Sequence, residues 1–240
     1  MVRRDALKNM LLMGCGTAAS LTPAFGMDKN TLVNQESRTS RKVLLVNGSP
    51  RKEGCTYTAL TEVAGALQRS GVDSEMLHVG SQALSGCKGC GACRESARCV
   101  IEDTVNEVID RLEEFDGFVF GTPVHYASAS GFITPFLDRL FFASSQKMAY
   151  KPGAAIASCR RGGSIQAVDQ LNKYFTINNM PVVSSRYWNM VYGNTPEEVR
   201  NDKEGMQIMR TLGNNMAWMI QSLQIAKAAG ISIPEPEPRT

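Results

Sequence analysis

The residues best equipped for chemistry are four cysteines within 13 positions: Cys87, Cys90, Cys93 and Cys99, spaced C-x2-C-x2-C-x5-C. Gly86, Gly89 and Gly91 interrupt the run and allow the tight turns that aim several sulfurs at one point. Thiolates are soft ligands, and the spacing of the first three resembles runs that hold a 4Fe–4S cluster. Zinc is a second occupant, although structural zinc prefers paired C-x2-C knuckles further apart. Disulfides in an exported protein, or a plain structural loop, are further readings of the same residues.

A second candidate site is the segment Gly48-Ser49-Pro50-Arg51-Lys52-Glu53-Gly54-Cys55-Thr56. It follows the apolar run Val43–Val46 and precedes a helical pattern. Gly48 and Gly54 allow close backbone approach, and Ser49, Thr56 and the free N–H groups of a helix start are donors for an anion. Arg51 adds a forked donor suited to phosphate oxygens. Neither G-x-G-x-x-G nor G-x-x-x-x-G-K-[ST] is present, which argues against a dinucleotide fingerprint or an ATP-type loop. A single terminal phosphate, as in FMN, suits this loop.

Two more segments complete the set. Thr122-Pro123-Val124-His125-Tyr126 follows a third apolar run, and Ser128–Gly131 leads into the next helix. Arg160-Arg161-Gly162-Gly163 is a donor-rich turn after a fourth run. These are the segments expected to border a flavin ring. A lone His125 carries little weight by itself.

The elements that must position these segments alternate in type. Val43–Val46, Ser74–Val79, Gly117–Phe120, Ala154–Ser158 and Pro181–Val183 read as strands, three of them apolar on both faces as in parallel sheets. Between them, Leu60, Val63 and Leu67, then Val105, Val108, Ile109 and Leu112, then Ile133, Phe136, Leu137 and Leu140 recur at helical spacing. Met206 to Leu223 stripe a final helix. The prediction is a doubly wound α/β fold: five parallel strands in the order 2-1-3-4-5 with helices on both faces. Ligands then bind at the carboxyl ends of the strands, where the candidate segments lie.

With these motifs in hand, residues 42–160 resemble the flavodoxin-like NAD(P)H-dependent FMN reductases, in the branch that includes the archaeal iron–sulfur flavoproteins. The matching residues are Gly48-Ser49-Pro50-Arg51 with Gly54 and Thr56, the cysteine run, Thr122-Pro123-Val124, Ser130-Gly131 and Phe136-Leu137-Asp138-Arg139. The likeness continues through Asn178–Val183 and Tyr187-Trp188-Asn189. It implies that Ser49, Arg51, Gly54, Cys55 and Thr56 surround the FMN phosphate and that Thr122 to Tyr126 border the ring. Cys55 stands where the family often has Asn, and His125 where Tyr is common. The resemblance implies NAD(P)H as co-substrate and hydride transfer to FMN. Electrons then pass to a small-molecule or protein acceptor, with a cluster on the four cysteines as a relay. The alternative is a non-enzymatic electron carrier reduced by a partner. Relatives are often dimers, so a homodimer or higher homo-oligomer is expected.

Composition fits this reading. The chain has 240 residues, 43% of them hydrophobic, enough to bury a core without disulfides. Setting aside Arg3, Arg4, Lys8 and Asp5 leaves 23 cations against 22 acids, so no basic face for nucleic acid is expected. No apolar stretch is long enough for a transmembrane span. Residues 1–26 read as a signal with a twin-arginine-like pair, Arg3-Arg4, before a mildly apolar stretch. Export to the periplasm follows, with a cytoplasmic protein or a lipid anchor at Cys15 as alternatives. Residues 27–41 read as a linker, 42–228 as the FMN domain, and 229–240 as a mobile, proline-rich tail.

Overall fold

The computed structural model describes residues 41–235 and Glu237. The signal read at 1–26 and the linker before Arg41 lie outside the described residues. In chain order the elements are β1 (Lys42–Asn47), α1 (Cys55–Arg69), β2 (Asp73–His78), α2 (Cys93–Ser96), α3 (Thr104–Arg111), β3 (Gly117–His125), β4 (Ser128–Ala129), α4 (Ile133–Met148), β5 (Gly153–Cys159), α5 (Ser164–Thr176), β6 (Met190–Tyr192), α6 (Pro196–Asn201) and α7 (Lys203–Ala228).

The parallel strands lie in the order β2-β1-β3-β5-β6, with the short β4 antiparallel beside β3. Counting parallel strands alone, this is the predicted 2-1-3-4-5. Both faces are covered. Leu44, Val46, Phe118, Phe120, Ala155 and Ala157 face α3, α4 and α5, while Val43, Leu45, Val119, Ala154 and Ile156 face α1 and α7. Alternate residues therefore point to opposite cores, and each strand reads as a continuous apolar run. On the first face Phe120 stacks on Phe175 with ring centroids 5.3 Å apart. Such a pair adds about 0.5–1.5 kcal/mol beyond its burial.

Two strand predictions need correction. Pro181–Val183 is not the fifth strand. Val182 makes one isolated bridge to Gly153, and the fifth parallel strand is β6, which pairs Met190–Tyr192 with Ala157–Cys159. Pro181 has no N–H to continue a ladder, so the chain leaves the sheet after Val183 and rejoins at Met190. The third strand is also longer than Gly117–Phe120. It runs on to His125 and turns at Tyr126-Ala127 into β4. Both turn residues have left-handed φ, 50° and 59°, as a two-residue hairpin of the mirror-image type requires.

The helix ends follow their local chemistry. The Asp103 carboxylate caps α3 by accepting from Val105 N, and Thr195 caps α6 with Pro196 in its first turn. α1 is different: Gly54 stands at its cap with no side-chain bond, and no acidic residue lies in its first turn. Among the described residues no helix is long and apolar enough to cross a membrane.

Candidate functional site

Three strand ends meet along one edge of the sheet. Asn47 pairs with Gly121, Gly121 with Ile156, and Pro123 with Ser158, so the segments after β1, β3 and β5 emerge side by side. The chain order reverses between β1 and β3, and a crevice forms outside the carboxyl ends at such a point.

The loop after β1 is built by its own polar groups. The buried Asn47 side chain accepts from Ser49 N at 3.0 Å and donates to Lys52 O at 2.9 Å. Ser49 Oγ accepts from Arg51 N at 3.2 Å, which leaves its hydroxyl proton to donate elsewhere. Gly48 N donates to Gly121 O at 2.9 Å, fastening the loop to β3. His78 Nε2 donates to Ser49 O at 2.7 Å from the end of β2. Arg51 and Lys52 are exposed beside the uncapped start of α1. An anion placed there would meet free N–H groups, a hydroxyl and a guanidinium together.

The other predicted residues divide by role. Thr56 Oγ1 lies 2.8 Å from Ser158 Oγ, both buried, and this bond ties the start of α1 to the end of β5. Cys55 Sγ lies 3.7 Å from Gly193 O, linking the same helix start to the residue after β6. Burial pushes the Cys55 thiol up, against the pull of Arg51, and burial also pushes up Cys159. Thr122 Oγ1 accepts from Ser130 N at 2.8 Å and donates to Pro123 O at 2.9 Å, so its side chain braces the β3–β4 turn. Pro123 and Val124 are half-buried, while His125 and Tyr126 are exposed at the hairpin tip. Arg160 and Gly162 lie on an exposed turn after β5. That turn is locked to the hairpin at Gly163, where φ is +87° and a Cβ would meet Ala127 Cα at 2.6 Å. All twelve candidate flavin residues therefore lie on three adjacent segments at one end of the sheet.

The cysteine segment leaves the same edge, after β2. Cys87 and Cys90 are exposed, Cys93 and Cys99 half-buried, and every described cysteine is a free thiol. Gly89 and Gly91 have left-handed backbone, as does Ala97. Cys93 Sγ lies 3.6 Å from Phe142 O on α4. Cys99 is fixed more firmly. Asn106 Oδ1 accepts from Cys99 N at 2.9 Å, Asn106 Nδ2 donates to Cys99 O at 2.8 Å, and Arg139 Nε donates to Cys99 Sγ at 3.2 Å. Among the described residues no group of three or more Cys, His, Asp or Glu side chains is placed to hold a metal ion. The donor set still fits an iron–sulfur centre in kind: four free thiols on a glycine-rich segment, one of them facing a buried guanidinium. For FMN, the acid-free helix start with Ser49 and Arg51 fits a phosphate.

Sequence reasoning missed Asn47, His78, Ser158, Asn106 and Arg139, each of which holds a candidate segment through contacts that only the fold brings together. Asn47 alone left a local signal, a polar residue closing an apolar strand.

A doubly wound parallel sheet with a phosphate-type loop at its switch point defines a flavodoxin-like protein. Solved structures agree on the fold. The chain matches RosB, solved with bound 8-demethyl-8-formylriboflavin-5′-phosphate, with a TM-score of 0.62 at 15% identity over 84% of this chain and 91% of that one. It matches a WrbA-like flavodoxin from Agrobacterium tumefaciens with a TM-score of 0.52 at 14% identity over 77% and 99%. Residues 41–195 match the model of the NADPH-dependent FMN reductase family, and the chain belongs to that family. An iron–sulfur flavoprotein from Methanocaldococcus jannaschii is 29% identical over 191 residues, 76% of this chain and 99% of the relative. The chain is thus a flavin oxidoreductase of the NADPH-dependent FMN reductase family.

Proposed function

We propose that this chain takes hydride from NADH or NADPH onto FMN and passes the electrons to a small-molecule or protein acceptor. We further propose that Cys87, Cys90, Cys93 and Cys99 hold a 4Fe–4S cluster that serves the same electron path. The observation that carries the reading is the meeting of three strand-end segments at the switch point, beside a helix start with no side-chain cap and no acid in its first turn.

In this reading the chain binds, orients and shields. The Ser49 hydroxyl, Arg51, and the N–H groups of Cys55 and Thr56 hold the phosphate, while the Gly54 N–H closes the loop onto Arg51 O at 3.3 Å. Pro123, Val124, His125 and Tyr126 border one side of the ring, and the Arg160–Gly162 turn borders another. The Thr56–Ser158 and Gly48–Gly121 bonds keep these segments in register, so the site is preorganised by rigid strands. Burial keeps the Cys55 and Cys159 thiols protonated near neutral pH, so neither is assigned as nucleophile or base. FMN, when bound, supplies acceptance of a hydride and release of single electrons, which the side chains alone cannot do. The paired arginines at Arg3-Arg4 support export of the folded, loaded protein.

The test is steady-state oxidation of NADH and NADPH by FMN-reconstituted protein with a generic acceptor. Turnover that requires FMN supports the reading. Stoichiometric FMN that is reduced one electron at a time, with neither nicotinamide consumed, assigns the chain as a carrier instead.

A further inference from the structure

One buried side chain outside the flavin segments directs all its bonds at the segment 85–103, which carries the cysteine run. Arg139, on α4, is 1% exposed. Its Nε donates to Cys99 Sγ at 3.2 Å. One terminal nitrogen donates to Asp103 Oδ2 at 2.6 Å and Ser85 O at 3.4 Å, the other to Ile101 O at 2.8 Å and Asp103 Oδ1 at 2.9 Å. All five N–H donors of the guanidinium thus go to residues 85–103. Pairing with Asp103 would need only two of them, and a fold brace would need no sulfur.

The surroundings make Cys99 the preset member of the run. Asn106 holds both its backbone groups, and Asp103, clamped by Arg139, also caps the helix that carries Asn106. One turn further along α4, Phe142 O meets Cys93 Sγ. α4 therefore sets the position of the second half of the run, while Cys87 and Cys90 lie exposed on the glycine turns. A neutral thiol is a weak acceptor, whereas a thiolate accepts a charge-assisted bond from a guanidinium. Burial of the donor strengthens such a bond.

We infer that Arg139 is a positioning residue for a metal centre on the cysteine run. It fixes Cys99 as the ligand on which the other three close, and it gives the Cys99 sulfur an N–H bond that raises the centre's reduction potential. Hydrogen bonds to ligating sulfurs and nearby positive charge favour the reduced state. The inference rests on the reading of the run as an iron–sulfur site.

The experiment uses the full chain purified anaerobically with FMN. Iron and acid-labile sulfide are measured first on the wild type. Arg139→Lys keeps the charge but not the fork, and the double variant Arg139→Gln with Asp103→Asn removes both charges. FMN stoichiometry and near-ultraviolet dichroism show which variants are folded. A folded variant is expected to lose iron to a chelator about 10–100-fold more readily. Its cluster is expected to favour the reduced state about tenfold less, which is 59 mV for a one-electron couple. A folded variant with wild-type iron retention and potential overturns the inference. If no variant folds, wild-type protein labelled with 15N-arginine decides. Pulsed EPR of the reduced centre should show a 15N coupling from Nε, and its absence overturns the inference. Wild-type protein that holds zinc or no metal overturns the iron–sulfur reading itself, and the inference with it.

Discussion

Gly80 follows β2 and sits against the phosphate-type loop. A Cβ built there would lie 1.8 Å from Ser49 O, 2.2 Å from Ser49 C and 2.8 Å from Pro50 N. All three are backbone atoms, so no side chain can swing aside. To restore 3.0 Å, the Ser49 carbonyl must retreat by about 1.2 Å. That carbonyl also accepts from His78 Nε2 at 2.7 Å, and the same residue supplies the Ser49 hydroxyl. Misplacing positioned groups by about 1 Å can cost roughly a hundredfold. Gly80→Ala should therefore weaken FMN binding by about 10–100-fold, or about 1.4–2.8 kcal/mol. Gly65→Ala is the matched control. It lies on α1, where the nearest atom to a new Cβ is the mobile end of Arg69 at 3.3 Å. That change should leave FMN affinity alone and stabilise the fold by about 0.5–1 kcal/mol. Titration of apo-protein into FMN, followed by flavin fluorescence, gives both affinities, and urea unfolding gives the stability. Wild-type affinity in folded Gly80→Ala would refute the placement of the phosphate on this loop.

Three further outcomes follow from the same geometry. Arg51→Ala should weaken FMN binding by about 1.5–3 kcal/mol through loss of a charge-assisted contact, read in the same fluorescence titration. Asn106→Ala leaves the Cys99 N–H and carbonyl without their partner. It should lower stability by about 1–3 kcal/mol in urea unfolding. Glu75, bonded by Arg111 and then by Lys42, is held down to about 2 from an ordinary 4.5. Its folded value is depressed, so its contribution is present above about pH 4.5 and is lost as pH falls towards 2. Glu75→Gln should flatten the fall in the urea midpoint across that window.

Much of the fold was legible because it rests on burial. Val43–Val46, Gly117–Phe120 and Ala154–Ser158 are apolar on both faces, the pattern a sheet covered on both sides gives its strands. The final stretch misled for a physical reason. Pro181–Val183 is as apolar as a strand, yet its proline and the bridge to Gly153 allow one contact only. Met190–Tyr192 is three residues long and carries a half-exposed Tyr, too short for a periodic signal. The candidate flavin residues were legible because each follows an apolar run, and strand ends are where parallel sheets present their loops. Their roles were less so: the resemblance sets Thr122 at the border of the ring, and only the fold shows its hydroxyl bracing the β3–β4 turn. Arg139 was matched only as part of a motif on a helix. Its partners lie 36 to 54 positions away, and nothing local marks an arginine as buried.

The central claim is that a nicotinamide reduces FMN held at this site. The direct measurement is anaerobic addition of one equivalent of NADPH or NADH to FMN-loaded protein, with the visible flavin band followed in time. One of the two is expected to bleach the band within a single turnover. A flavin that dithionite bleaches but neither nicotinamide does would contradict it.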